Sequence, residues 1–130
     1  MSVRILIADD HPLFRAALRS AVMLAVPAAR IDEAADLAGA LAQLDAAAEF
    51  DLVLLDLHMR DSQGLAGLAA LRAQFPTVAV LVISAYGDAA IVRRALDHGA
   101  AGYVPKSTPP EGIISAIRGV LADGSWLPPQ

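Results

Sequence analysis

Cysteine is absent from this 130-residue chain, so neither a disulfide framework nor a thiolate metal site is open to it. That absence fits a reducing compartment such as the cytosol. Long apolar runs are missing too: none reaches the roughly 18 uninterrupted residues a membrane-spanning helix needs. The opening MSVRILIADD turns acidic too soon for a secretory leader. Positive charge is scarce and scattered, with 10 Lys and Arg against 14 Asp and Glu for a net charge of −4. The chain therefore lacks the basic patch of a nucleic-acid binder, and it carries no recognition helix. Internal repeats, low-complexity tracts and an inter-domain linker before the tail are likewise lacking. Lysine is the scarcest charged residue, Lys106 being the one lysine among otherwise arginine cations.

What is present is apolar and alternating. Hydrophobic residues make up 56% of the chain, with alanine supplying much of that, and the length suits one domain with one core. Val3 to Ala8 reads as a short buried strand running into Asp9 and Asp10. His11-Pro12 then starts a helix, proline being pre-organised for the first helical position. Its apolar residues Leu13, Phe14, Ala17, Leu18, Ala21 and Val22 recur at helical spacing, and Pro27 ends it. Arg30 to Ala35 is a weaker strand, followed by a helix with Leu37, Leu41 and Leu44 on one face. Asp51 to Asp56 is the third strand, Gly64 to Phe75 the third helix and Val78 to Ile83 the fourth strand. A helix from about Asp88 to His98 has Gly99 as its C-cap. Gly102 to Val104 is a short fifth strand. The last helix opens on Thr108-Pro109-Pro110-Glu111, which fits a capping box, and carries Ile113, Ile114, Ile117 and Leu121 inward. Gly112 and Gly119 weaken that helix by about 1 kcal/mol each relative to alanine.

Strands alternating with helices in this way predict an α/β domain: a doubly wound, five-stranded parallel sheet with helices on both faces. Ligand sites in such sheets lie beyond the carboxyl ends of the strands. Polar residues fall at those ends. Strand one runs into Asp9-Asp10, LVLLDLHM (52–59) places Asp56 after a greasy run, strand four ends near Ser84, and Lys106 follows strand five. All would share one edge. Two carboxylates about 4 Å apart repel by several kcal/mol at an effective dielectric near 20, so the cluster calls for a cation. Oxygen-only ligation suits Mg²⁺. The lone lysine adds a compact point charge. A carboxylate held beside both is a plausible phosphoryl acceptor, with Ser84 placed to hydrogen-bond a transferred oxygen.

With these residues placed, the chain resembles, over residues 3–124, the receiver domain of two-component response regulators. ADDHPLFRAAL (8–18) is similar to the opening of the NarL/FixJ group, whose full-length members carry a LuxR-type helix-turn-helix. LLDLHM with Gly64 resembles the phosphoacceptor motif, VISA (82–85) the switch-hydroxyl motif and GYVPK (102–106) the aromatic-plus-lysine motif. AIRGVLADGSWLPP resembles the last helix and linker start of that group, which draws a receiver at 1–124 and a linker toward an effector domain from 125 to 130. The resemblance implies a flavodoxin-like (βα)5 fold of strand order 2-1-3-4-5. It implies a phosphorylation-activated cytoplasmic switch in which Asp56 accepts phosphate from a sensor histidine kinase. Asp10, Asp56 and the backbone carbonyl of His58 would ligate Mg²⁺, with Asp9 reaching it mainly through water. Lys106 would contact the phosphate. Ser84 and then Tyr103 would move inward and remodel the face made by helix four, strand five and helix five. His58 and Tyr86 stand where the family tunes dephosphorylation. A homodimer, through helix five or helices one and five, is implied on the same footing.

Three departures stand out. Arg60 occupies a position where the family usually has proline, Ser107 follows Lys106 where many receivers have a cis proline, and Ala17 replaces a common glycine. A cis Lys106-Ser107 bond would cost about 3 kcal/mol. Singly, each residue also has a plain reading: Asp9 and Asp10 as acids favouring a helix N-terminus, His11 as an N-cap-position residue, Tyr103 as an edge-strand aromatic, Trp126 as a cover for an apolar patch. Two other functions compete. A phosphatase of the haloacid dehalogenase type also places an aspartate nucleophile after a strand, but it wants an acid where His58 stands, and a cap domain. A degenerate receiver acting only as a docking or dimerisation module is the second.

Overall fold

The central strands form because β-branched residues and leucines alternate sides at a period of two. The computed structural model describes residues 2–46, 49–85, 87 and 89–127. Strand β1 (Arg4–Ala8) leads to helix α1 (Pro12–Ala25), then β2 (Arg30–Ala34), α2 (Leu37–Ala46) and β3 (Leu52–Asp56). Helix α3 (Ala66–Gln74), β4 (Ala79–Ser84), α4 (Ala89–Asp97), β5 (Gly102–Pro105) and α5 (Pro110–Asp123) complete the alternation. A two-residue antiparallel pair, His58–Met59 with Ser62–Gln63, folds the loop after β3 back on itself. The five strands make one parallel sheet in the order 2-1-3-4-5, as the alternation and the resemblance led us to expect.

Each central strand feeds two cores. Leu6, Val53, Leu55, Val80 and Val82 face one side, together with residues of α2, α3 and α4. Ile5, Ile7, Leu52, Leu54, Leu81 and Ile83 face the other, against α1 and α5. Burial on both faces explains why β3 and β4 read as continuous apolar runs rather than as alternating ones. Pro105 falls in an edge strand, where its missing N–H breaks no ladder bond.

Several local expectations shift. Helix α3 begins at Ala66 rather than Gly64, because Gly64 adopts a positive φ of 69° that turns the chain out of the antiparallel pair. The capping box at Thr108 does not form. Helix α5 starts at Pro110 with Pro109 at its N-cap, and proline has no side-chain acceptor to offer. Gly99 lies one position beyond the C-cap of α4, at φ 93°, where its N–H donates to Leu96 and that of Ala100 to Ala95 in a Schellman turn. Among the described residues no peptide bond is cis, so Lys106-Ser107 is trans.

The chain after α5 reverses through Gly124 (φ 81°) and returns along the free edge of β5. The Trp126 N–H donates to the Ala101 carbonyl at 2.8 Å, and Trp126 bridges Gly102 in parallel. Two glycines make room. A Cβ on Gly102 would stand 2.7 Å from the Trp126 carbonyl oxygen, and one on Gly119 would stand 2.7 Å from the indole Cδ1. Gly119 is thus a packing requirement as well as a weak point in α5.

Candidate functional site

Strand order alone brings the polar ends together. β1 pairs with β3 so that Ala8 sits opposite Leu55, which sets Asp9 beside Asp56. Asp56 in turn faces Ile83, one residue short of Ser84. The ladder continues past β5, where the Lys106 N–H donates to the Ser84 carbonyl at 2.7 Å. Asp9 and Ser84 are fully buried and Asp56 is 2% exposed. Tyr103 is fully buried too, in the core on the α2–α4 side.

At the centre stands the Lys106 ammonium. It donates to Asp56 Oδ2 at 3.1 Å and to His11 Nδ1 at 3.0 Å, and it ion-pairs with Asp9 Oδ2 at 3.1 Å. Its cation also lies 4.7 Å from the centre of the Phe14 ring. Asp56 Oδ1 accepts the His58 N–H at 3.0 Å, a turn that orients the loop after β3. Burial pushes the Asp56 carboxyl above its ordinary value, and Asp9 adds to this, while the His58 N–H and Lys106 oppose it. One hydrogen bond and one ammonium thus hold the charge of this carboxylate at the end of a buried strand.

They do not hold the whole cluster. Three carboxylates face one lysine, and two oxygens stay poorly served. Among the described residues Asp10 Oδ1 is buried without a hydrogen-bond donor, and Asp9 Oδ2 has only its 3.1 Å ion pair with Lys106, which is not aligned as a hydrogen bond. Single donor atoms of Asp9, Asp10, His11 and Asp56 lie within 4.8 Å of one another. This geometry fits a divalent cation: hard oxygen donors, excess negative charge and buried lone pairs aimed inward. Asp9 Oδ1 is engaged by the His11 N–H at 2.7 Å, which leaves its other oxygen toward the centre.

Two contributors escaped the sequence reading. His11 does stand at the N-cap of α1, yet its side chain makes no cap hydrogen bond and turns into the acidic cluster instead. Arg60 joins through its backbone: its N–H, which proline would lack, donates to Asp10 Oδ2 at 3.1 Å. Next to it, the Asp61 carboxylate accepts the N–H groups of Leu37 and Ala38 at 2.8 and 2.9 Å. Those two bonds hold the Asp61 carboxyl below the usual range and cap α2 from a distant loop. A carboxylate 24 residues from its partner gives no local signal in sequence. Tyr86 lies outside the described residues. The His58 ring nitrogen Nδ1 contacts Gln63 Oε1 at 3.2 Å, within the short antiparallel pair.

Comparison with known proteins decides the family. Residues 5–118 match the model of the response regulator receiver domain. The chain belongs to that family. It is 41% identical over 127 residues to the glycerol metabolism activator of Pseudomonas putida, covering 98% of this chain and 58% of that protein. To the nitrate/nitrite response regulator protein NarP of Escherichia coli it is 35% identical over 115 residues, covering 88% of this chain and 53% of NarP. The chain thus spans little more than half the length of these relatives. Among solved structures, the signal receiver domain of NarL from Mycobacterium tuberculosis superposes with a TM-score of 0.82 at 36% identity, covering 94% of this receiver and 98% of that chain. A LuxR family DNA-binding response regulator from Silicibacter pomeroyi gives 0.84 at 34%, covering 98% of each chain. This receiver is therefore related to the LuxR-type transcriptional regulators and has the flavodoxin-like receiver fold. Among the described residues no helix is long and apolar enough to cross a membrane.

Proposed function

We propose that this receiver is a phosphorylation-driven switch whose phosphoacceptor is Asp56. One observation carries the reading: a buried carboxylate at the end of the central strand, gripped at 3.1 Å by the only lysine and flanked by two further carboxylates. In the reaction, a carboxylate oxygen of Asp56 attacks phosphorus on a histidine kinase's phosphoimidazole. The P–O bond forms as the P–N bond breaks, and the leaving imidazole takes a proton. Hydrolysis later breaks the new acyl phosphate and restores the carboxylate. Asp10, Asp56 and the His58 carbonyl, with Asp9 through water, would hold Mg²⁺, which would supply charge neutralisation for the transferred oxygens. Asp9 keeps Lys106 near the centre, and the ammonium follows the phosphoryl group. The Phe14 ring covers one side of that ammonium.

Ser84 ends β4, the neighbour of the acceptor strand β3, and Tyr103 lies on β5, one strand further out. In our reading Ser84 hydrogen-bonds the phosphoryl group and Tyr103 adjusts behind it, shifting the α4-β5-α5 surface between two populations. His58 and Tyr86, two residues beyond Asp56 and Ser84, set the lifetime of the adduct. Residues 1–124 form the receiver and residues from 125 onward begin a linker. In the whole protein, which acts in the cytoplasm, that surface controls a LuxR-type output, with a sensor histidine kinase upstream and a homodimer as the active form.

The test is intact mass after incubation with acetyl phosphate and Mg²⁺. The parent should gain one phosphoryl group in a Mg²⁺-dependent way, and Asp56→Asn should gain none. Equal labelling of the two proteins would place the acceptor elsewhere. No labelling together with no beryllofluoride binding would sink the reading altogether.

A further inference from the structure

We propose that His11 gives the cation site a nitrogen donor, so that it takes imidazole-seeking divalent ions such as Ni²⁺ and Co²⁺ as well as Mg²⁺. This rests on the reading that Asp9, Asp10 and Asp56 hold a divalent cation. His11 Nδ1 lies 3.3 Å from Asp9 Oδ1, 3.2 Å from Asp10 Oδ1 and 3.7 Å from Asp56 Oδ2. Its place is the mouth of the acidic cluster, at the start of α1.

The state of that nitrogen follows from its partner. An ammonium has three donors and no lone pair, so in the 3.0 Å contact with Lys106 Nζ the imidazole nitrogen is the acceptor. A neutral imidazole nitrogen that offers its lone pair is the form that binds metals.

Size also fits. Donors around an ion with bonds of about 2.0–2.2 Å stand at most about 4.4 Å apart. The present 4.8 Å span needs a contraction of a few tenths of an ångström, well within reach of a ring that is 64% exposed. Carboxylate and water donors suit Mg²⁺, whereas an imidazole raises affinity for later first-row ions selectively. His11 is therefore a specificity-determining residue: it decides which cation the acidic site prefers. His58 and His98 are the other imidazoles, with Nδ1 contacts to Gln63 and to the Arg94 carbonyl respectively.

Calorimetric titration with MgCl₂ and with NiCl₂, each on the parent chain, His11→Asn, Asp10→Asn and a His98→Asn control, tests this. We expect Ni²⁺ to bind the parent more tightly than Mg²⁺. His11→Asn should weaken Ni²⁺ by about tenfold or more while moving Mg²⁺ by less than about twofold, and His98→Asn should change neither. The visible absorption of bound Co²⁺ should differ between the parent and His11→Asn. Equal changes for both ions in His11→Asn, or an unchanged Ni²⁺ affinity, would overturn the nitrogen donor and leave the phosphoryl-transfer reading intact. A parent that takes Ni²⁺ through His11 but shows no Mg²⁺ binding would instead overturn that reading and keep the donor.

Discussion

Replacing Gly119 by alanine should destabilise this protein, although glycine to alanine within a helix normally does the opposite. The ordinary gain at an exposed helical site is about 1 kcal/mol. Here the new Cβ would lie 2.7 Å from Trp126 Cδ1, 3.3 Å from Cγ and 3.4 Å from Cβ. Cδ1 collides and Cγ is tight, and the backbone that carries the ring is held by the Trp126 N–H bond to Ala101, so the residue as a whole cannot back away. Overpacking of this kind costs about 1–3 kcal/mol, so the net loss is about 1 kcal/mol, or about 4 °C in melting temperature for a chain of this size. The assay is thermal unfolding followed by far-ultraviolet circular dichroism, which also reads the variants that lack Trp126, the one tryptophan in the chain. Removing the obstacle reverses the sign. In a Trp126→Ala background, Gly119→Ala should stabilise by about 1 kcal/mol, giving a coupling near 2 kcal/mol across the double-mutant cycle. Stabilisation by Gly119→Ala with the tryptophan present, or additive effects across the cycle, would refute the packing argument. Gly112→Ala is a useful contrast, since its Cβ meets only the terminal Cγ2 of Thr108, which can rotate aside.

Two further outcomes follow from the loop after β3. Arg60→Pro removes both the N–H that occupies Asp10 Oδ2 and a cation beside the site, so Mg²⁺ should bind more tightly, by about fivefold for a hydrogen bond worth about 1 kcal/mol. Arg60→Ala keeps the N–H and should give only part of that gain in calorimetry; a weaker Mg²⁺ affinity in Arg60→Pro would contradict the assignment. Asp61→Ala should lower the melting temperature at pH 7 by uncapping α2. Because the folded carboxyl lies below its unfolded value, the contribution of Asp61 is fully present above about pH 3.9 and is lost as pH falls through the folded value. The melting difference should therefore shrink only in strong acid, and a difference that instead vanishes between pH 5 and 7 would rule out this cause.

Much of the architecture was legible because it is written in local periods. Buried runs such as Leu52–Leu55, the His11-Pro12 and Pro27 punctuation, and helical spacing in α1 and α5 placed nearly every element to within a residue or two. Boundaries slipped where the backbone obeyed something other than burial, as at Gly64 with its positive φ and at Pro109, which displaced Thr108 from the cap. The polar strand ends were legible too, since an acid or a lone lysine after an apolar strand has few structural uses.

Sequence by itself thus determined the alternating fold, the two-sided core and the membership of Asp9, Asp10, Asp56, Ser84 and Lys106 in one edge. Only the tertiary structure decided what meets at that edge. The Lys106–His11 contact spans 95 residues, the Lys106–Asp56 and Arg60–Asp10 contacts span 50 each, and the Trp126 clasp depends on Gly102 meeting its carbonyl while Gly119 meets its ring. The physical reason is one of range. Burial imprints a period on neighbouring residues, whereas a hydrogen bond or a close packing contact depends on where separate elements dock, to within a few tenths of an ångström.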